Sequence, residues 1–187
     1  RAFACGASQA FQVSPYPLIF SLNVFCEPEQ QEIAAEMLTS QFGNALMPRL
    51  TRGADGALPS PEALKGRVLI KLAQPPVVGG DAAAAAGQVR VHPRLREIAA
   101  LWTESVESEE ALLGKTLKAS EVADGVVSVG TVSEAGGTGW LRGQSTKWAA
   151  RNMGALCAVR PSASRTDASN FEPDAFWEVG CQLVELS

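Results

Sequence analysis

The sequence predicts an α/β fold, a parallel sheet with helices on its faces. Six short apolar runs have the length of strands, within residues 18–22, 67–72, 95–106, 126–133, 156–160 and 181–186. Segments of helical character separate several of them, and strand–helix alternation is the pattern of a parallel sheet. At 187 residues the chain suffices for one well-cored domain. Six strands make either an open doubly wound sheet or most of an eight-stranded barrel, and the alternation alone leaves both open.

Taken in order, residues 2–13 are alanine-rich and read as the end of a helix, which Ser14-Pro15-Tyr16-Pro17 breaks. Leu18–Leu22 is a compact apolar strand that runs into Asn23. Glu27-Pro28-Glu29 starts a helix, with proline in its first turn and acids at its positive end. Gly43 ends it, and Ile33, Met37 and Leu38, with Ala34, are its expected apolar face. Residues 44–66 form an irregular connection that closes in one capped turn, Ser60–Gly66. Arg67–Leu72 is the next strand. Residues 73–94, with five consecutive alanines, read as a low-complexity linker and as the boundary between two lobes.

Beyond the linker, Ile98–Trp102 is the centre of a buried run, and Val126–Ser133 is a strand. Gly136-Gly137-Thr138-Gly139 reads as a flexible turn, since it lacks the lysine and helix start of a phosphate-cradling loop. Leu141–Met153 is helical. The last two strands, Leu156–Arg160 and Cys181–Leu186, flank a polar loop at 162–171. Asp167, Ser169 and Asn170 in that loop are turn formers. Glu172-Pro173-Asp174 then opens a short helix that Gly180 stops. So elaborate a loop between two buried strands points to function.

Composition narrows the classes. The net charge of −4 argues against a nucleic-acid binder driven by counterion release. No apolar run reaches the eighteen or so residues of a membrane span. The start lacks the basic and apolar regions of a signal peptide, and beginning at Arg1 the chain reads as a piece of something longer. Cys5, Cys26, Cys157 and Cys181 are scattered and read as buried thiols rather than a disulfide frame or a zinc site. The single histidine, His92, reads as a solvated loop residue, which closes any mechanism needing a histidine pair within this chain.

Three motifs, in order, resemble one family. Ser14-Pro15-Tyr16-Pro17-Leu18-Ile19-Phe20-Ser21-Leu22, with Cys26 and Glu29-Gln30-Gln31, is similar to the late X segment of phosphoinositide-specific phospholipase C. Leu58-Pro59-Ser60-Pro61-Glu62-Ala63-Leu64-Lys65-Gly66 and the strand Arg67–Lys71 resemble the close of that X half. Arg165-Thr166-Asp167-Ala168-Ser169-Asn170-Phe171, then Trp177 and Gly180-Cys181-Gln182-Leu183-Val184, resemble the Y half's signature.

The resemblance implies a partial parallel (β/α) barrel of the TIM type, about strands three to eight of eight. Residues 1–72 would be the C-terminal part of the X half-barrel, 73–94 the X–Y linker and 95–187 the Y half-barrel. It further implies a fragment of a calcium-dependent phosphodiesterase that hydrolyses phosphatidylinositol 4,5-bisphosphate to diacylglycerol and inositol trisphosphate in intracellular signalling. Such a protein is cytoplasmic and peripheral to membranes, meets a phosphoinositide lipid and regulatory proteins, and binds no nucleic acid. The family's catalytic histidines and most calcium ligands would precede this chain, so by itself the fragment is expected to be inactive. The alternative is a catalytically inactive phospholipase C-like phosphoinositide-binding or scaffold protein.

By the same resemblance, four residues occupy site positions. Asn23 stands where the family has a calcium-binding glutamate; its amide oxygen can ligate calcium without adding charge. Lys71 matches a lysine that contacts substrate phosphate, while a second family lysine is Ala73 here. Ser105 matches a serine that hydrogen-bonds the headgroup. Ala158 and Arg160 replace an arginine and a ring-stacking tyrosine, so a cation stays on the same strand face, one pleat along. Arg160 could fork onto a phosphate. Arg165 is expected to be structural, pairing with Asp167 or loop carbonyls.

Overall fold

A computed structural model of the chain describes residues 2–50, 57–73, 91–106, 108, 113, 121, 122, 126–167 and 169–185. Most of the alanine-rich linker, residues 74–90, lies outside the described residues. The chain divides into two compact units, Arg1–Trp102 with Gly125–Val127, and Thr103–Asp124 with Ser128–Ser187. The division falls within a strand, between Trp102 and Thr103.

The first unit holds α1 (Ala2–Gln9), β1 (Leu18–Leu22), α2 (Pro28–Phe42), β2 (Val68–Leu72), α3 (Pro93–Glu97) and the start of β3 (Ala99–Ser105). β1 and β2 run parallel, from Leu18 opposite Val68 to Leu22 opposite Leu72. β2 and β3 are also parallel, with an irregularity between Ile70 and Lys71. Side chains alternate between faces along a strand. Leu18, Phe20 and Leu22 of β1, and Val68, Ile70 and Leu72 of β2, join Ala35, Leu38 and Phe42 of α2 in one apolar cluster. Ile19, Ser21, Leu69 and Lys71 therefore belong to the opposite face.

Helix α2 begins and ends where the sequence places it, with Pro28 in its first turn and Gly43 closing it at a positive φ of 49°. Its apolar face differs from expectation. The buried stripe is Gln31, Ala35, Leu38 and Phe42, whereas Ile33 and Met37 are each 52% exposed. Gln31 and Ile33 are two residues apart, about 200° round the helix, so burying one exposes the other. Gln31 can be buried because its amide is satisfied. Its Nε2 donates to the Cys26 carbonyl at 2.9 Å, and its Oε1 accepts from the His92 backbone N–H at 2.7 Å. His92 in turn lies in the loop as expected but is partly buried and has a defined part there. It caps α3, its Nδ1 accepting from the Arg94 backbone N–H at 3.3 Å, and α3 opens at Pro93, inside the stretch read as linker.

The second unit holds the end of β3, a two-residue β4 (Glu121–Val122), β5 (Val126–Ser133) from Ser128 onward, α4 (Glu134–Asn152), β6 (Leu156–Arg160), α5 (Asp174–Glu178) and β7 (Leu183–Val184). β5 and β6 are parallel over five residues, from Val129 opposite Leu156 to Ser133 opposite Arg160. β6 and β7 are parallel through Ala158 opposite Leu183 and Val159 opposite Val184. β4 pairs with β5. Val106, Val132, Cys157 and Val159 pack with Trp148 of α4 and Phe176 of α5 in a second cluster.

Two expectations are corrected here. Gly136-Gly137-Thr138-Gly139 is no flexible turn but the first turn and a half of α4. Ser133 Oγ caps it by accepting from the Gly136 N–H, and Thr138 Oγ1 donates to the Glu134 carbonyl. The glycines serve packing, since a Cβ on Gly137 would lie 2.8 Å from the Phe176 ring and 3.1 Å from the Trp148 ring. The last strand is also shorter than the expected 181–186. The rung opposite Cys157 is made by a side chain, Gln182 Oε1 accepting the Cys157 N–H at 2.7 Å. Regular pairing therefore covers only Leu183 and Val184.

Candidate functional site

The ends of parallel strands are where an α/β fold of this kind displays its chemistry. Within the first unit, Asn23 follows directly on β1 and is exposed. Lys71 lies in β2 opposite Ser21 of β1, on the face away from α2. It is 3% exposed, so it is not the solvated strand-end lysine that its position would otherwise suggest. The irregularity between Ile70 and Lys71 sets it opposite Leu101 of β3.

Within the second unit, the alternation that sends Val106 of the β3 end, Cys157 and Val159 into the apolar cluster sends Ser105, Ala158 and Arg160 to the other face. The two polar residues meet there: Arg160 Nη2 donates to Ser105 Oγ at 3.4 Å. Arg160 is exposed, and among the described residues the Ser105 hydroxyl is the hydrogen-bond partner of its guanidinium.

A brace holds the loop that leaves Arg160. Glu134, the first residue of α4, accepts from the Ser162 backbone N–H at 3.2 Å and from Arg165 Nε at 2.9 Å through one oxygen. Its other oxygen accepts from Arg165 Nη2. Arg165 Nη1 donates to Ser169 Oγ, and Asp167 accepts from both the hydroxyl and the backbone N–H of Ser169. Arg165 is structural as expected, but its main partner is Glu134, not Asp167. The hydrogen bond from Arg165 holds the Glu134 carboxyl below the usual carboxylate range and raises the guanidinium in return. The Ser169 hydroxyl does the same to Asp167. Sequence reasoning missed Glu134. The available signal was a serine followed by an acid at the end of a strand, a helix start, which the glycine run behind it masked.

Calcium takes about six to eight oxygen ligands, carboxylates prominent among them. Asn23 supplies one neutral oxygen, and among the described residues no three of His, Cys, Asp or Glu stand together in a way that could hold a metal ion. The described residues do not by themselves make up a calcium site.

Models of two domains match the chain: phosphatidylinositol-specific phospholipase C, X domain, over residues 7–73, and phosphatidylinositol-specific phospholipase C, Y domain, over residues 110–187. The chain belongs to the phosphoinositide-specific phospholipase C family. It is 31% identical over 204 residues to human 1-phosphatidylinositol 4,5-bisphosphate phosphodiesterase delta-1, covering 95% of this chain and 27% of that protein. To the delta-3-A form of Danio rerio it is 31% identical, covering 97% of this chain and 26% of the relative. To the human zeta-1 form it is 27% identical, with 95% and 33% covered. The chain thus spans about a quarter to a third of the length of these relatives. The crystal structure of S. officinalis PLC21 superposes with a TM-score of 0.75 at 22% identity, over 99% of this chain and 25% of that one. That likeness shows the fold class, part of a parallel (β/α) barrel. Of the candidate residues, Asn23 and Lys71 fall in the X-domain match of this phospholipase C family member and Arg160 in its Y-domain match, while Ser105 lies between the two.

Proposed function

We propose that this chain carries the phosphate-binding strand ends of a phosphoinositide phospholipase C. The whole protein would hydrolyse phosphatidylinositol 4,5-bisphosphate to diacylglycerol and inositol trisphosphate, as a calcium-dependent signalling enzyme peripheral to membranes and answering to regulatory proteins. Residues 1–72 and 95–187 are then parts of two half-barrels, and 73–94 the linker between them. The observation that carries this reading is the pairing of Arg160 with Ser105 on one strand face, at the positions that the family resemblance assigns to headgroup contacts. An exposed guanidinium suits a phosphate monoester, and the hydroxyl beside it supplies a neutral donor. Lys71, in its own unit, is the second cation.

Co-sedimentation with vesicles tests it. The chain is expected to sediment with phosphatidylcholine vesicles containing phosphatidylinositol 4,5-bisphosphate and to stay in solution with phosphatidylcholine alone. Arg160→Ala should weaken the first about tenfold or more, since a hydrogen bond to a charged group is worth ~1.5–3 kcal/mol. Equal sedimentation with both vesicles, or an unaffected Arg160→Ala, would overturn the reading. The chain alone should release no soluble inositol phosphates, because its one histidine is spent capping α3; turnover would contradict that.

Asn23, Ala73, Ala158 and Arg160, four site positions that differ from the family's residues by the resemblance, support a second reading, a catalytically inactive phosphoinositide-binding or scaffold protein. Binding without hydrolysis by the protein at its relatives' length, with calcium supplied, would decide for it.

A further inference from the structure

The most unusual pair of groups outside the strand ends lies beneath the loop. Cys157 of β6 and Cys181, just before β7, are both free and buried, and the Cys181 thiol points at Cys157 Sγ across 3.7 Å. They sit in the cluster formed with Trp148, Phe176 and Val179. The chain between them carries Arg160, the whole of the braced loop and α5.

We propose that Cys157 and Cys181 are a peroxide-oxidisable dithiol, whose closure to a disulfide ties the edge strand β7 to β6. Geometry carries this. The sulfurs must approach from 3.7 Å to the roughly 2.0 Å of a disulfide. The element that has to follow is short, since β7 pairs over two residues and α5 is five residues long. It is anchored by Asn152 Nδ2 on the Val179 carbonyl and by Gln182, whose Oε1 accepts the Cys157 N–H. Local opening of this sheet edge is how a molecule of peroxide's size reaches sulfurs that are buried on average. The two thiols also divide the roles. The hydrogen bond from Cys181, and then the nearby Arg151 cation, lower the pKa of Cys157, whereas the bond it donates and its burial push Cys181 far up. Cys157 is thus the more acidic thiol of the two, and its sulfur is the one that attacks.

In the first step the Cys157 sulfur attacks one peroxide oxygen and the O–O bond breaks. The leaving hydroxide takes up the thiol's proton as water, leaving Cys157 as a sulfenic acid. In the second, the Cys181 sulfur attacks Cys157 Sγ, the S–O bond breaks, and the departing hydroxide takes the Cys181 proton as a second water. Two thiols are oxidised by two electrons and one peroxide is reduced to two waters. This inference stands apart from the phosphoinositide reading.

The test uses the wild-type chain treated with hydrogen peroxide, then denatured, alkylated and mapped by mass spectrometry. The expected product is one dithiothreitol-reversible cross-link between the peptides holding Cys157 and Cys181, with Cys26 still open to alkylation. Hydrogen exchange at the Glu185 amide, which donates to the Val159 carbonyl next to β7, should slow in the oxidised form. The proposal is overturned if both thiols stay alkylatable, if Cys157 ends as a sulfinic acid beside a free Cys181, if Cys181 links to Cys26 or Cys5, or if exchange at Glu185 is unchanged by the cross-link.

Discussion

Glu134 receives three hydrogen bonds, two from one guanidinium and one from a loop N–H. Its carboxyl, and that of Asp167, titrate below the ordinary carboxylate range. A lowered pKa in the folded state contributes stability that is fully present above the unfolded group's value and is lost as pH falls through the folded value. Thermal melting should therefore hold steady from neutral pH down to the ordinary carboxylate range and decline below it. Glu134→Gln should lower the melting point at pH 7 and flatten that acid decline. An acid limb of the same steepness in wild type and Glu134→Gln would show that the brace contributes nothing. The structural role of Arg165 was legible in its turn-rich surroundings. Its partner was not, because Glu134 is 31 residues away in the chain and only the parallel pairing of β5 with β6 brings strand-end neighbours together.

At the scale of the element, α4 opposes propensity to packing. Glycine in a helix interior costs roughly 1 kcal/mol against alanine, yet α4 carries glycine at 136, 137, 139 and 143. A methyl at Gly137 would overlap two buried rings that pack against each other, with centroids 6.0 Å apart. Overpacking of that kind costs about 1–3 kcal/mol and outweighs the propensity gain. Gly137→Ala should thus destabilise the chain by about 1 kcal/mol. Gly139→Ala, where nothing lies within 4 Å, should stabilise by about 0.5–1 kcal/mol. Denaturant midpoints of the two variants check both signs, and a stabilised Gly137→Ala would mean that the rings yield. A run of four residues with three glycines is read locally as a turn; only the rings across the helix show why it is a helix.

For the molecule as a whole, the outer strands matter most. Among the described residues β1 pairs only with β2 and β7 only with β6, and none of the apolar residues of β1 is fully buried. Open edges and uncovered apolar surface lower stability and invite association. The chain by itself should melt broadly, below the ~45–65 °C of ordinary mesophile domains, with aggregation that rises with concentration. Scanning calorimetry with light scattering measures both, and a sharp monomeric transition above that range would refute the expectation.

Most of the strands, both ends of α2, the short α5 and family membership were readable from residue order, because they rest on local features: proline and glycine at element ends, apolar runs, and motifs held in sequence. The starts of α3 and α4 and the two-residue β4 were not. The expectation that failed on α2 did so because burial follows from what the facing elements satisfy. Gln31 is inside since the Cys26 carbonyl and the His92 N–H meet its amide, and Ile33 is outside as a consequence. The same holds for Arg160 with Ser105, Glu134 with Arg165, and Cys157 with Cys181. Each joins residues far apart in the chain through strand pairing, and no local pattern of residues encodes which side chains such pairing will bring within reach.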